Sequence, residues 1–253
     1  YYAGFIDQVI KHSVSYHKPW LRDIVLKVVP KVLRYQFKKN LNDEELAVVK
    51  ALAEATDLSF DRALNALLIS ELFPYLIAKA SPLFRAVPIP PMMGCSSFIA
   101  LKEATIDRKL IHTRNLDFPG YGTWDRFPVV VLNKPRTGIP FLSIAAAGVQ
   151  IVVTGINSEG LALGLHMQYT KDVASRGVPI LRITEEILST CKTIRDAVKL
   201  TKNVKPMAGW TIILSQAKYN EAVAIEFSAH KQGTVVPRSN HLCYANNYQN
   251  KKM

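Results

Sequence analysis

The chain has 253 residues, 49% of them hydrophobic and 21% charged, with a formal net charge of +12. A chain this long can bury a substantial core, which removes any need for disulfide staples and disfavours disorder, while 12 glycines and 14 prolines exclude a collagen-like or low-complexity polymer. No run approaches the ~18 apolar residues of a membrane span.

The excess of Lys and Arg (32) over Asp and Glu (20) favours an anionic partner, a phospholipid surface or a nucleic acid. No nucleic-acid recognition motif is present, so nucleic acid is not an expected partner. The first residue is Tyr, so a segment upstream is expected to have been removed or left out, as a signal peptide would be. An exported compartment, secreted or periplasmic, is expected, although no Asn-x-Ser/Thr sequon marks a glycosylated secretory protein.

In chain order, the stretch before Gly94 reads as helical. Trp20, Ile24, Val25, Val28, Val32, Leu33 and Phe37 recur at helical spacing, with Arg22, Lys27, Lys31, Arg34, Lys38 and Lys39 between them. This basic amphipathic stretch, Trp20–Lys39, either packs its apolar stripe on the rest of the protein or lies on an anionic bilayer. Pro30 is expected to break or kink it. Asn42 is placed to cap a helix opening on Asp43-Glu44-Glu45, and Ser59 to cap one running through Leu64, Leu68 and Leu72 until Pro74 interrupts it. Val87-Pro88-Ile89-Pro90-Pro91 then reads as an extended linker.

After the linker the period changes from helix to strand. Strands are expected at Cys95–Leu101 and Leu110–Arg114, paired as a hairpin, and at Pro128–Leu132, Phe141–Ala146, Val149–Thr154 and Leu161–Met167. Asn157-Ser158-Glu159-Gly160 is a turn signal. One long amphipathic helix follows, with Ile183, Ile187, Cys191, Ile194 and Val198 as its apolar stripe. Trp210–Leu214 and Ala222–Phe227 resume the strands. Helices segregated from strands indicate α+β layering.

The chemistry concentrates where the linker enters the first strand. Cys95 directly follows Gly94, and the partner strand ends in His112-Thr113-Arg114-Asn115-Leu116-Asp117-Phe118. A hairpin brings Arg114 and Asp117 back towards Cys95. A cation lowers a thiol's pKa, and the thiolate is the reactive form; a carboxylate can hold an adjacent amine. These residue types suit an activated sulfur nucleophile, the alternative being an inert strand cysteine that packs as a small hydrophobe. Arg114 and Asp117 could equally be a structural ion pair, and Asn246 could merely close a turn. Cys191 lies on the helix stripe and reads as core, with a Cys191–Cys243 pairing left open. His112, His166, His230 and His241 could each complete a Cys–His pair, but no papain-like signature surrounds Cys95. There is no C-x-x-C, no H-E-x-x-H, no G-x-G-x-x-G and no Walker sequence, so neither metal nor cofactor is expected. Gly160-Leu161-Ala162-Leu163-Gly164 fits G-x-x-x-G but sits in strand-like alternation, where the match is incidental.

Gly94-Cys95-Ser96-Ser97 followed by Arg114-Asn115-Leu116-Asp117-Phe118 resembles the signature of the N-terminal-nucleophile (Ntn) hydrolases. The similar group comprises choloylglycine hydrolase, penicillin acylase, acid ceramidase and N-acylethanolamine acid amidase. Gly155-Ile156-Asn157-Ser158-Glu159-Gly160 and Tyr244-Ala245-Asn246-Asn247-Tyr248 extend the resemblance. It implies a four-layer αββα sandwich preceded by a helical α-segment, C-terminally short relative to the family. Residues 1–94 would be the helical segment with its linker and residues 95–253 the catalytic part.

The resemblance further implies self-cleavage between Gly94 and Cys95, Gly94 offering no Cβ to obstruct the attack. Hydrolysis of a small-molecule, lipid-like N-acyl amide would follow through a thioester. Cys95 is then nucleophile and, through its freed α-amine, base; Asp117 holds that amine; Arg114 tunes the thiol; Asn246 and a backbone N–H near His166 or Met167 bind the oxyanion. A further arginine of the family lies beyond the point where this chain ends. The alternatives are an acyltransferase using the same thioester and a membrane-surface binding protein on a decayed scaffold.

Overall fold

The computed structural model describes residues 29–84, 94–117, 126–146 and 152–253. The proline linker from Val87 to Pro91, the first part of the basic stretch (Trp20–Val28), Phe118 and the start of the expected strand at Val149 lie outside the described residues.

Three helices open the described fold: α1 (Val29–Lys38), α2 (Asp43–Ala55) and α3 (Phe60–Phe84). Pro30 does not end the helix, which runs on from it to Lys38. α2 begins as its sequence dictates. Asn42 Oδ1 accepts from the Glu45 N–H at 2.9 Å and the Glu45 carboxylate accepts from the Asn42 N–H at 2.8 Å, a reciprocal capping box. The Ser59 carbonyl accepts from the Arg62 N–H at the start of α3. Pro74 does not end α3, contrary to expectation; the helix continues to Phe84. An interior proline costs about 3 kcal/mol, whereas each buried leucine contributes about 1.5–3 kcal/mol, and Leu64, Leu68 and Leu72 are all buried on this helix. They join Phe37, Val49, Ala53 and Met207 in one apolar cluster.

The strands form two antiparallel sheets. In the smaller, β1 (Gly94–Ala100) lies between β2 (Ile111–Asp117) and β10 (His241–Tyr244). The larger runs in sequence order through β3 (Pro128–Asn133), β4 (Phe141–Ala146), β5 (Thr154–Asn157), β6 (Leu161–Met167), β7 (Trp210–Gln216), β8 (Glu221–Phe227) and β9 (Gln232–Val235). β5 starts at Thr154 rather than ending there. Asn157 sets this register: its amide donates to the Leu188 and Cys191 carbonyls, and its oxygen accepts from the Glu159 and Leu161 N–H groups.

The expected single long helix is two, α4 (Ile180–Thr190) and α5 (Ile194–Thr201). Thr193 and Asp196 form a second capping box, and Cys191 takes extended backbone as the C-cap of α4. The apolar stripe survives the break because both helices pack on the same sheet face, Ile183, Ile187, Cys191 and Ile194 all joining the main core. Cys191 is buried and Cys243 exposed, both as free thiols, so the two do not pair.

The layers are therefore α4 and α5, the large sheet, and the small sheet, an α+β sandwich. The small sheet packs over β7 and β8 through Ile99, Leu242, Tyr244, Ile213 and Ala224. Across β3 to β5 the same face is left open among the described residues. The cross-strand pairs Val130–Ile144 and Leu132–Leu142 are exposed despite being aliphatic.

Candidate active site

Alternation along β1 turns Cys95, Ser97 and Ile99 towards the large sheet. Opposite them on β2 stand Leu116, Arg114 and His112. Arg114 therefore reaches back past one residue, and its Nη2 donates to Cys95 Sγ at 3.4 Å and to the Leu165 carbonyl of β6 at 2.6 Å. Gly164 makes room for this crossing, since a Cβ there would lie 3.1 Å from Arg114 Cδ. The G-x-x-x-G spacing has no helical meaning, but its second glycine has a packing one.

Cys95 is 9% exposed. Burial pushes its thiol above the ordinary value, the Arg114 charge opposes that rise and Asp117 adds to it, while the Asn246 side chain and the Met167 backbone N–H favour the thiolate. Burial also lowers the Arg114 pKa, against the pull of Cys95 and Asp117.

Asp117 pairs with Gly94 across the hairpin, so it lies beside the Gly94–Cys95 junction rather than beside the sulfur. A Cβ built on Gly94 would stand 3.4 Å from Asp117 Oδ2 and 3.7 Å from Asn246 Oδ1, which is ordinary van der Waals contact. Crowding in the folded chain does not by itself demand glycine here.

Asn246 follows β10 and ties three elements together. Its Oδ1 accepts from the Cys95 N–H at 2.6 Å and its Nδ2 donates to the Met167 carbonyl at 2.6 Å. His166 is fully buried; its Nε2 lies 2.8 Å from Ser97 Oγ and its Nδ1 3.4 Å from the Ala245 carbonyl. Burial, with Arg114 nearby, pushes His166 down to about 4, and the same two causes push His112 down to about 4. Both rings are neutral near pH 7. His112 bonds Ser215 Oγ at 2.8 Å, His230 bonds Asp172 and His241 bonds the Ser239 carbonyl. Each of these rings is thus engaged elsewhere than on Cys95. Among the described residues no cluster of three His, Cys, Asp or Glu side chains is placed to hold a metal.

Glu226 was not singled out by the sequence, although a lone acid in the apolar strand Ala222–Phe227 was the available signal. It is fully buried and accepts from the Tyr244 hydroxyl, from the Gln249 N–H at 2.5 Å and from the Asn250 N–H at 3.0 Å. These donors flank Asn246, so one carboxylate fixes the segment that carries it. Gln168 assists, donating to Thr211 Oγ1 at 2.7 Å and to the Ala245 carbonyl at 3.3 Å.

From Arg114 a cavity of about 420 Å³ opens along the uncovered sheet face, lined among others by His112, Val130, Leu142, Ile144 and Ile156. Among the described residues His112 Nε2 and Arg114 Nε are buried without a hydrogen-bond partner. The arrangement thus places a sulfur, a guanidinium, a side-chain amide and a backbone N–H around one point, with an apolar channel leading away.

Several known proteins are similar to this chain. It is 25% identical over 184 residues to an uncharacterized protein of Archaeoglobus fulgidus, covering 69% of this chain; the chain spans about 30% of that relative's length. Its fold overlaps that of a Caenorhabditis elegans N-acylethanolamine-hydrolyzing acid amidase ortholog with a TM-score of 0.48 at 20% identity, covering 61% of this chain and 71% of that one. For penicillin V acylase of Agrobacterium tumefaciens the TM-score is 0.39 at 18% identity, with 58% and 51% covered. A family profile described as acyl-coenzyme A:6-aminopenicillanic acid acyl-transferase matches residues 105–253, which include Arg114, Asp117 and Asn246 and begin after Cys95. That match spans more than half of the sequence, and by it the chain belongs to the acyl-coenzyme A:6-aminopenicillanic acid acyl-transferase family, within the Ntn-hydrolase superfamily.

Proposed function

We propose that this protein is a self-cleaving thiol enzyme that breaks the amide bond of an N-acyl substrate with an apolar acyl group. The observation that carries the reading is the Arg114 Nη2–Cys95 Sγ contact of 3.4 Å at the start of β1. In the self-cleavage, Cys95 Sγ attacks the Gly94 carbonyl carbon. The Gly94–Cys95 C–N bond breaks, the thiol proton passes to the departing nitrogen, and a thioester forms. Water then hydrolyses that thioester, leaving a Gly94 carboxylate, a free thiol and a Cys95 α-amine. Residues 1–94 become the helical segment and residues 95–253 the catalytic part.

The freed amine has a pKa near ~7.7–8.0 in peptides, so it can take the thiol proton close to neutrality. Asp117, beside the junction, holds it. The thiolate attacks the substrate carbonyl, and the oxyanion binds the Met167 N–H and the Asn246 Nδ2, which turns from the Met167 carbonyl to do so. The amine returns its proton to the leaving nitrogen, and water releases the acyl group from sulfur. The aliphatic channel beyond Arg114 supports an apolar acyl portion. The family description supports a second outcome, in which an amine rather than water takes the acyl group.

Intact-mass measurement of the purified chain at mildly acidic and neutral pH tests the first step. Two fragments divided between Gly94 and Cys95 are expected, with Cys95→Ala staying whole; an uncut wild type with no amidase turnover overturns the reading. Offering competing amines to the acyl-enzyme separates hydrolysis from transfer.

A further inference from the structure

We infer that a phosphate-bearing ligand binds in the cleft between α1 and the loop at Ser175–Arg176, away from the thiol site. The cleft measures about 560 Å³ and is lined by Lys31, Tyr35, Gln36, Lys39, Ser175 and Arg176. Lys31 and Tyr35 lie four residues apart along one side of α1, and Lys39 follows directly after its last residue, four positions beyond Tyr35. Among the described residues the lining therefore offers three cations, an amide and two hydroxyls, with no carboxylate.

The charges inside the cleft differ from those around it. Arg34 pairs with Asp61 at 2.8 Å and Arg182 pairs with Glu45. Among the described residues no carboxylate pairs with Lys31, Lys39 or Arg176; Lys39 Nζ lies 4.5 Å above the Tyr35 ring, and that ring is 68% exposed. Like charges gathered without acids repel one another, and the repulsion is relieved when an anion enters.

The far wall is built rather than loose. Asn40 Nδ2 donates to the Ser175 carbonyl at 2.9 Å, its Oδ1 accepts from the Gly177 N–H at 3.3 Å, and its own carbonyl accepts from Arg182 at 2.8 Å. A Cβ at Gly177 would lie 2.7 Å from the Lys205 carbonyl, so the loop is packed from behind as well. Arg176 is thus held between two anchored neighbours, facing Lys31 of α1 and Lys39 just past its end. Lysines and an arginine converging from two sides suit a phosphate, whose several oxygens accept charge-assisted hydrogen bonds from different directions. The volume left beyond one phosphate leaves room for the group that bears it. That group could be a soluble phosphoester or an anionic lipid headgroup, and the charge chemistry is the same for both.

The test compares the full 253-residue chain with Lys31→Gln/Lys39→Gln/Arg176→Gln and with a control of equal charge change at exposed sites, Lys192→Gln/Lys199→Gln/Lys218→Gln. Inorganic phosphate is followed by ³¹P line broadening, and vesicles of phosphatidylcholine with and without phosphatidylglycerol by co-sedimentation. Wild type and control are expected to bind within about twofold of each other, and the cleft variant at least about tenfold more weakly. Binding to free phosphate marks a soluble ligand, and binding only to phosphatidylglycerol vesicles marks a headgroup; either, with the loss confined to the cleft variant, supports the site. Equal weakening of both triple variants, or no binding of either probe by wild type, overturns it. Circular dichroism verifies that the surface variants are folded.

Discussion

At the scale of single residues, the sulfur of Cys95 is balanced between two opposed effects. Burial disfavours its thiolate, and Arg114, Asn246 and the Met167 N–H favour it, with burial the largest. A cation that already bonds the Leu165 carbonyl is held in place and loses little freedom in facing the thiol. Arg114→Met removes the positive charge and keeps most of the stem. Its expected result is slower alkylation of Cys95 than in wild type at every pH up to alkaline values, followed by mass spectrometry, and a self-cleavage rate lower by roughly 10²–10³-fold. A variant alkylated as fast as wild type would mean that Arg114 does not act on the thiol. Glu226→Gln tests the support of Asn246. Only one of its two oxygens would remain as an acceptor for the three donors that meet there. A loss of about 2–3 kcal/mol is expected in urea denaturation, since buried donors are left unpaired.

At the scale of elements, local signals carried far. The Asn42–Glu45 and Thr193–Asp196 boxes are written within four residues each, and each starts its helix. Thr193→Ala is expected to lower stability by about 1 kcal/mol in the same denaturation assay. The hairpin of β1 and β2 was legible because Cys95–Leu101 and Leu110–Arg114 each alternate and end close together in sequence. Its register was not, since one residue of slip would turn Cys95 and Arg114 to the other face. The split between α4 and α5 was hidden by an apolar stripe that continues through Cys191, although the Thr193 box was there to be read. Pro74 misled for the opposite reason: a local breaker was overruled by leucines buried against other helices. β9 and β10 are four residues each and carry too short a pattern to stand out.

At the scale of the whole molecule, one contact that ties the helical segment to the rest is buried and titratable. Glu71 of α3 is 1% exposed and accepts from the Ile180 N–H at the start of α4, while its other oxygen has no partner among the described residues. Burial pushes its carboxyl up to about 8 against the lowering effect of that bond. The folded state then holds a proton that the unfolded chain has lost, so this group's contribution to stability falls as pH rises from about 4.5 to about 8. His112 and His166, pushed down to about 4, act in the opposite sense, favouring the fold as pH rises through the acidic range. The difference between wild type and Glu71→Gln isolates the first effect. Urea midpoints of the variant are expected to decline less between neutral and mildly alkaline pH, and parallel curves would remove Glu71 from the account.

Residue types and close spacing alone determined the helical start, the change of period at Gly94, the cysteine with its arginine and aspartate, and both caps. These depend on interactions within one turn or one hairpin, where a few neighbours decide the outcome. The meeting of Cys95 with Asn246 and Met167, the carboxylate of Glu226 behind them, the aliphatic face left open beside Arg114 and the basic cleft against α1 came only from the tertiary arrangement. The Cys95–Asn246 and Asn40–Ser175 contacts join residues more than a hundred positions apart, and such pairs form because burial summed over two sheets selects one packing, a quantity no short stretch of chain contains.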